Sequence, residues 1–396
     1  MGPVLQLSMR RMHDLVAFCM PYEFEDLVAE VTGADRVEPE NLGKVEFARR
    51  VYKLVRLASR SRRLAKAITP QLGVPRLSRD YELFLPVFNN AYELFALAAV
   101  PGWRDRCRLA ACFISEMWAS DIPEYLLELL AQFDHIFVGS CDPIDEVSRI
   151  VGRPCTNLPL AVDVLKFAPW PNPPPRAIDV CYIGRRSPVT HAALLRLARE
   201  RRIFYYYDTV RASGHGGKQM TFRVGNASEH RLLLASLLQR TRYYVANRAL
   251  ANQPSITRGK EEISYRFYEG VAAGAVLVGE PPRSDAFRKQ FDWQDAVIRM
   301  PFDSPDAGEI LAAIDADPRR IERIRGENVR NAALRHDWIY RLRLVFDALG
   351  LRPTEAMLAR EERLRSLAAA AHEGRAASVL MRSGEAGRPG TASEAP

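Results

Sequence analysis

Residues Phe167 to Pro175 read FAPWPNPPP, and no other run constrains the fold of this chain so strongly. Proline lacks a backbone N–H and its ring clashes with the preceding helical turn, so the run fits neither a helix interior nor a central strand. It reads as a semi-rigid linker. The chain has 396 residues, a length that suits two or three domains of roughly 100–200 residues each. Before the linker, expected strands at His13–Met20, Tyr81–Phe88, Arg108–Ser115, Phe133–Ser140 and Pro154–Val162 alternate with helical stretches. After it, strands are expected at Ile178–Ile183, Ile203–Tyr207, Tyr243–Ala246, Ala275–Val278 and Ala296–Met300. Helices are expected at His191–Arg201, from Ser228 to Arg240, at Ser264–Ala273, Pro318–Leu334 and Trp338–Leu349. Such alternation implies parallel sheets covered on both faces.

The expected architecture is therefore α/β, with two Rossmann-like parallel-sheet domains facing a cleft. The boundaries read 1–165, a linker at 166–176, 177–350, and a tail at 351–396 that is helical over Leu358–Ala371 and disordered from Ser383. Ligands of open parallel sheets bind beyond the carboxyl ends of the strands, so functional residues are sought there.

Composition narrows the partners. The formal net charge is +8, which suits nucleic acid, an anionic membrane surface or a phosphorylated small molecule. No zinc-finger, RRM or helix-turn-helix signature supports nucleic acid. The six cysteines are scattered, without a CxxC pair or a Cys/His cluster of zinc spacing, so they read as reduced thiols and no metal site is expected. The first apolar stretch is broken by Arg10, Arg11, His13 and Asp14, unlike a signal peptide. No apolar run reaches the ~18 residues of a membrane span. A cytoplasmic protein is expected.

Lys44–Lys66 carries Arg49, Arg50, Lys53, Arg56, Arg60, Arg62, Arg63 and Lys66, with Val45, Ala48, Val51, Tyr52 and Val55 on one side. Two readings stand: a solvated basic face whose apolar side packs on the sheet, or peripheral contact with an anionic membrane.

The stretch richest in chemistry is Gly259–Gly279, GKEEISYRFYEGVAAGAVLVG. Ser264 is a candidate N-cap. The helix behind it would present the backbone N–H groups of Tyr265, Arg266 and Phe267 to an anion, and Arg258, Lys260 and Arg266 add positive charge. Glu261 and Glu269 would repel a bare phosphate but suit the hydroxyls flanking a diphosphate. The alternatives are a solvated loop acid for Glu261, and for Glu269 a helix-surface carboxylate paired with Tyr265 or Arg266. His13 and His135 read as ordinary side chains.

This stretch resembles the E-x7-E signature of the retaining, group 1 glycosyltransferases of GT-B fold. Leu158–Pro169 (LPLAVDVLKFAP) is similar to that family's interdomain hinge, and Asp179–Arg186 (DVCYIGRR) to the strand-Gly-Arg opening of its nucleotide-binding domain. The resemblance spans about Phe133 to Leu349. It implies a sugar transfer from a nucleoside-diphosphate sugar to a glycan, glycolipid, lipid-linked or other hydroxyl acceptor, with retention. It assigns the donor sugar to Glu261, the ribose to Glu269, and the diphosphate to Arg185 or Arg186, whose alternative is a solvated pair at a strand end. No separate cofactor or metal is implied, because helix dipole and basic side chains stabilise the departing diphosphate. In ISEMWASDIPEY, Glu116 and Trp118 follow an apolar strand, where an acid can orient the acceptor hydroxyl and an indole can stack on a sugar; the alternative is a packed Trp118 and a solvated Glu116.

Two rivals remain. A dinucleotide-dependent oxidoreductase would show GxGxxG after its first strand, whereas Gly214–Gly217 (GHGG) has the wrong spacing. A binding protein of the same fold without catalysis stays open, because fold does not fix function.

Overall fold

The computed structural model describes residues 2–39, 42–68, 77, 79–117, 122–141, 144–208, 211–213, 219–221, 223–252 and 259–385. It divides into two compact units. Unit 1 comprises Met1–Asp163, Val210–Leu234 and Asp337–Glu361; unit 2 comprises Val164–Thr209, Ala235–His336 and Glu362–Pro396. The chain thus leaves unit 1 just before the proline run and returns to it twice, where the sequence suggested two consecutive blocks.

Unit 1 is built on strands β1 (Val4–Leu7), β2 (Asp35–Val37), β3 (Tyr81–Phe84), β4 (Val87–Asn90), β5 (Cys107–Met117), β6 (His135–Cys141) and β7 (Cys155–Asn157). They form one parallel sheet ordered β2-β1-β3-β5-β6-β7, with β4 also pairing β5. The expected strand at Tyr81–Phe88 is therefore split in two. Pro86 has no N–H to give a ladder, and β3 and β4 pair successive parts of β5 on either side of it. The expected strand at His13–Met20 is not formed. The first strand is the buried VLQL of β1, while Val16–Phe18 makes a 3-10 turn and Cys19–Thr32 a helix. Pro21 is tolerated there because it lies in the first helical turn, where N–H groups have no intrahelical partner. The basic stretch is two helices, Leu42–Ser59 and Arg62–Ile68, parted at Arg60 with its φ of 53°.

Unit 2 begins with β8 (Ile178–Cys181) and β9 (Tyr205–Tyr206). A small antiparallel pair, β10 (Arg211–Ser213) and β11 (Gln219–Thr221), falls in the first stretch that returns to unit 1. Unit 2 then continues with β12 (Thr241–Val245), β13 (Val276–Gly279) and β14 (Ile298–Arg299), giving a second parallel sheet ordered β14-β13-β12-β8-β9. Both sheets of the expected parallel α/β class are present. Asn226, not Ser228, caps the Ala227–Gln239 helix: its side chain accepts from the N–H groups of Ser228 (3.0 Å) and Glu229 (3.2 Å). The terminal helix runs Glu355–Glu385, so Ser383 is helical and not the start of a disordered tail. The proline run is tied to unit 2 by Arg176, whose guanidinium donates to the carbonyls of Leu238, Thr241, Ala273 and Gly274 at 2.8–3.0 Å. Burial pushes its pKa down to about 9.

What joins the separated segments of unit 1 is a buried ion pair. Glu23 accepts from Arg231 Nε at 3.1 Å and Nη2 at 3.2 Å, from the Trp338 indole at 3.2 Å and from the Asp163 N–H at 2.9 Å. Both charged side chains are 1% exposed. Removing one partner leaves an uncompensated buried charge, which costs about 3–5 kcal/mol. Glu23→Ala is expected to lower unfolding stability by that amount in urea denaturation. The double change Glu23→Gln/Arg231→Met is expected to cost clearly less, since no charge is stranded.

Candidate anion site at the carboxyl edge of unit 2

The loops that follow β8, β12 and β14 and the first turn of the Tyr265–Ala272 helix line one recess in unit 2. Its walls are Tyr182, Arg185, Asn247, Arg248, Leu250, Ala251, Arg266 and Phe302. All the loops leave carboxyl ends of parallel strands, where such sheets take their ligands. Three of the eight side chains are arginines, and the walls carry no carboxylate.

Local sequence explains how each arginine arrives. Gly184, with φ of 74°, turns the chain after β8, and its N–H donates to both carboxylate oxygens of Asp208 at 2.9 Å. A Cβ there would meet Arg266 Nη2 at 2.0 Å, so only glycine leaves room for that guanidinium. Arg266 Nε donates to the Ile183 carbonyl at 3.1 Å, which lays the side chain across the β8 loop. Arg185 stands beside it: burial and then the Arg266 charge lower the Arg185 pKa. Two guanidiniums held this close are stabilised by a bound anion. Arg248 is ion-paired with Glu280, which also accepts from the Phe302 N–H at 2.8 Å. Although burial works against it, those hydrogen bonds and the Arg248 charge hold the Glu280 carboxyl below the usual carboxylate range.

The predicted residues divide as follows. Arg185 and Arg266 line the recess. Arg186 does not; it pairs with Asp208 and lies over the Tyr207 ring at 5.4 Å. Ser264 occupies the N-cap position, but its side chain does not cap the helix; the hydroxyl donates to the Asn247 carbonyl at 2.8 Å. Tyr265 opens the helix half-buried, and the Phe267 N–H is already engaged with the Ser264 carbonyl at 3.2 Å, so it is not one of the orphan donors expected. Lys260 and Glu261 are half-buried in the preceding segment, which the Ala249 N–H pins through the Glu262 carbonyl at 2.9 Å. Glu261 accepts from the Arg283 N–H at 2.6 Å and lies 3.9 Å from Arg248 Nε, so it is not a solvated loop acid. Glu269 is 4% exposed, which rules out a helix-surface carboxylate. Glu116 belongs to unit 1, exposed near the end of β5. Trp118, Arg258 and the GHGG run lie outside the described residues.

Sequence reasoning missed Tyr182, Asn247, Arg248, Glu280 and Phe302. A signal existed for Asn247-Arg248: polar residues directly after the buried strand TRYYV sit at a carboxyl end by construction. Glu280 follows β13 in the same way, whereas Phe302, apolar and three residues beyond β14, carried no such signal. Among the described residues no group of three His, Cys, Asp or Glu side chains is placed to hold a metal ion, and no helix is long and apolar enough to cross a membrane.

Gly184→Ala tests the packing of Arg266. A left-handed φ costs a side-chain-bearing residue about 1–2 kcal/mol, and Arg266 must also move. We expect a loss of at least that size in denaturant unfolding, with weaker inorganic diphosphate binding. Gly225→Ala, which meets no atom within 4 Å, should leave both nearly unchanged.

No protein-family model matches this chain, and no curated protein matches its sequence. It is similar in structure to HepE of Anabaena, solved with UDP and glucose, at 11% identity and a TM-score of 0.49, over 88% of this chain and 100% of that one. Sucrose-phosphate synthase of Thermosynechococcus elongatus gives 12% identity and a TM-score of 0.46 over 88% and 99% of the two chains. A glycosyltransferase of Rickettsia africae gives 8% and 0.44 over 87% and 97%. Each lies below a TM-score of 0.5, and the chemistry of the recess rests on this chain's own residues.

Proposed function

We propose that this chain is a glycosyltransferase that takes a sugar from a nucleoside-diphosphate sugar and passes it to a hydroxyl acceptor such as a glycan or glycolipid. The observation that carries the reading is the recess at the carboxyl edge of unit 2, where Arg185 and Arg266 crowd together with Arg248. A diphosphate is the ligand that such a set of donors fits: it offers several anionic oxygens, and arginine forks match them in geometry. The same groups would stabilise the charge that develops on a departing diphosphate. Glu261 and Glu269 take the parts that the sequence resemblance implies, as acceptors for sugar and ribose hydroxyls, and retention of configuration comes with that resemblance. HepE, to which the chain is similar in structure, was solved with UDP and glucose, in agreement with a nucleotide donor.

One observation favours a second reading, a nucleotide-binding protein without turnover. The Glu261 carboxylate is already engaged by the Arg283 N–H and stands near Arg248, so a donor sugar would have to compete with a bond the protein makes to itself.

A panel of nucleoside diphosphates in thermal unfolding tests the site. A ligand that binds only the folded state at about 100 times its Kd adds about 2.7 kcal/mol. One nucleotide is expected to raise the Tm of the wild type, and Arg185→Ala/Arg266→Ala should abolish the shift. If no nucleotide raises it, the reading of the recess is wrong. A shift without sugar transfer to any acceptor in a product assay would establish the second reading.

A further inference from the structure

Glu280 is the first residue after β13, and it clasps Arg248 at two points. Its carbonyl accepts from the Arg248 N–H at 2.9 Å, and its carboxylate is ion-paired with the Arg248 guanidinium. The other carboxylate oxygen accepts from the Phe302 N–H at 2.8 Å, and the Glu280 N–H donates to Asn247 Oδ1 at 2.8 Å. The side chain is thus fixed by the segments that follow β12 and β14. Burial works against its charged form, but the Phe302 N–H and Arg248 outweigh burial, so the Glu280 carboxyl is ionised at neutral pH. Arg248 is a wall of the recess, whereas Glu280 touches Arg248 without being part of the walls. Glu261 Oε1 lies 3.9 Å from Arg248 Nε as well. One guanidinium of the recess therefore arrives already matched to carboxylates of the protein itself.

In a nucleoside-diphosphate sugar both phosphates are esterified. When the bond from the sugar to the terminal diphosphate oxygen breaks, that oxygen keeps the electron pair. The spent nucleoside diphosphate is therefore more negative than the donor. Guanidiniums that attract the donor attract the product more strongly, yet turnover needs the product to leave. A fixed carboxylate on one of those guanidiniums opposes this. It offsets part of the positive charge offered to the ligand, and the loss is felt more by the more negative ligand. We propose, resting on the diphosphate reading of the recess, that Glu280 is a positioning residue that acts through Arg248: it lowers the affinity of the recess for the released diphosphate and so favours the donor over the spent product.

Calorimetric titration of the full chain with inorganic diphosphate tests this. Glu280→Gln, which keeps the length and removes the charge, should bind it roughly tenfold tighter than the wild type. Glu280→Ala should act in the same direction, which keeps the test open if the glutamine variant does not fold. Arg248→Gln should bind more weakly, and adding Glu280→Gln to it should recover less than about twofold, since the effect runs through Arg248. With dimethyl diphosphate, capped at both ends as the donor's diphosphate is, the gain from Glu280→Gln should be smaller. A carboxylate that only braced the loops would give weaker binding when removed. The proposal is overturned if neither Glu280 variant binds inorganic diphosphate tighter than the wild type, if the gain persists in Arg248→Gln, or if it is as large for dimethyl diphosphate. Arg185→Ala/Arg266→Ala separates this from the site itself. If that variant loses inorganic diphosphate while the Glu280 variants gain none, the recess stands and only the role of Glu280 falls. If the wild type binds none, or the double arginine variant binds it undiminished, both fall.

Discussion

The carboxyl edge of unit 2 depends on a single buried amide. Asn247, 6% exposed, directly follows β12. Its Nδ2 donates to the Tyr182 hydroxyl at 3.1 Å, its Oδ1 accepts from the Glu280 N–H at 2.8 Å, and its carbonyl accepts from the Ser264 hydroxyl at 2.8 Å. One residue therefore fixes the loop after β8, the end of β13 and the start of the Tyr265–Ala272 helix. A buried amide left without partners costs about 1–3 kcal/mol, so the three segments satisfy Asn247 only by standing where they do. Gly279 completes the approach: a Cβ there would lie 1.9 Å from the Ala246 carbonyl oxygen. The positions of Arg185, Arg248 and Arg266 follow from this crosspiece, because each lies on or beside a segment that Asn247 holds.

Arginine does two different jobs in the chain. Arg231 in unit 1 and Arg176 in unit 2 are structural, each saturated by fixed acceptors that join segments remote in sequence. Arg360 belongs with them, bound to Asp337 and Asp163 at 2.6–2.9 Å in unit 1. Arg185 and Arg266 line the recess instead, where burial and then the Arg266 charge lower the Arg185 pKa. Two neighbouring guanidiniums at the carboxyl edge of a parallel sheet make a place where an anionic ligand would be favoured.

The parallel α/β class was legible because it rests on apolar runs of four to eight residues, and the strands after the linker fall close to where VCYI, YYV and AVLVG place them. What was not legible depended on tertiary context. The apolar letters of His13–Met20 suit a strand, but the chain had already laid its first strand at Val4–Leu7. Pro86 inside Tyr81–Phe88 was a visible warning of a split strand. The two returns of the chain to unit 1 rest on pairings such as Glu23 with Arg231, which no local pattern announces. In the site, charge and glycine spacing pointed to Arg185 and Arg266, whereas Arg186, equally basic and one residue on, is taken up by Asp208. Ser264 was found at its cap position for the right local reason, but Asn247 claims its hydroxyl.

The central claim is that the recess between the β8 loop and the Tyr265–Ala272 helix holds the diphosphate of a nucleotide. A crystal structure of the chain with UDP tests it most directly. The account predicts phosphate oxygens within hydrogen-bonding distance of Arg185 and Arg266. A nucleotide bound elsewhere, with those two guanidiniums making no contact to phosphate, would contradict it.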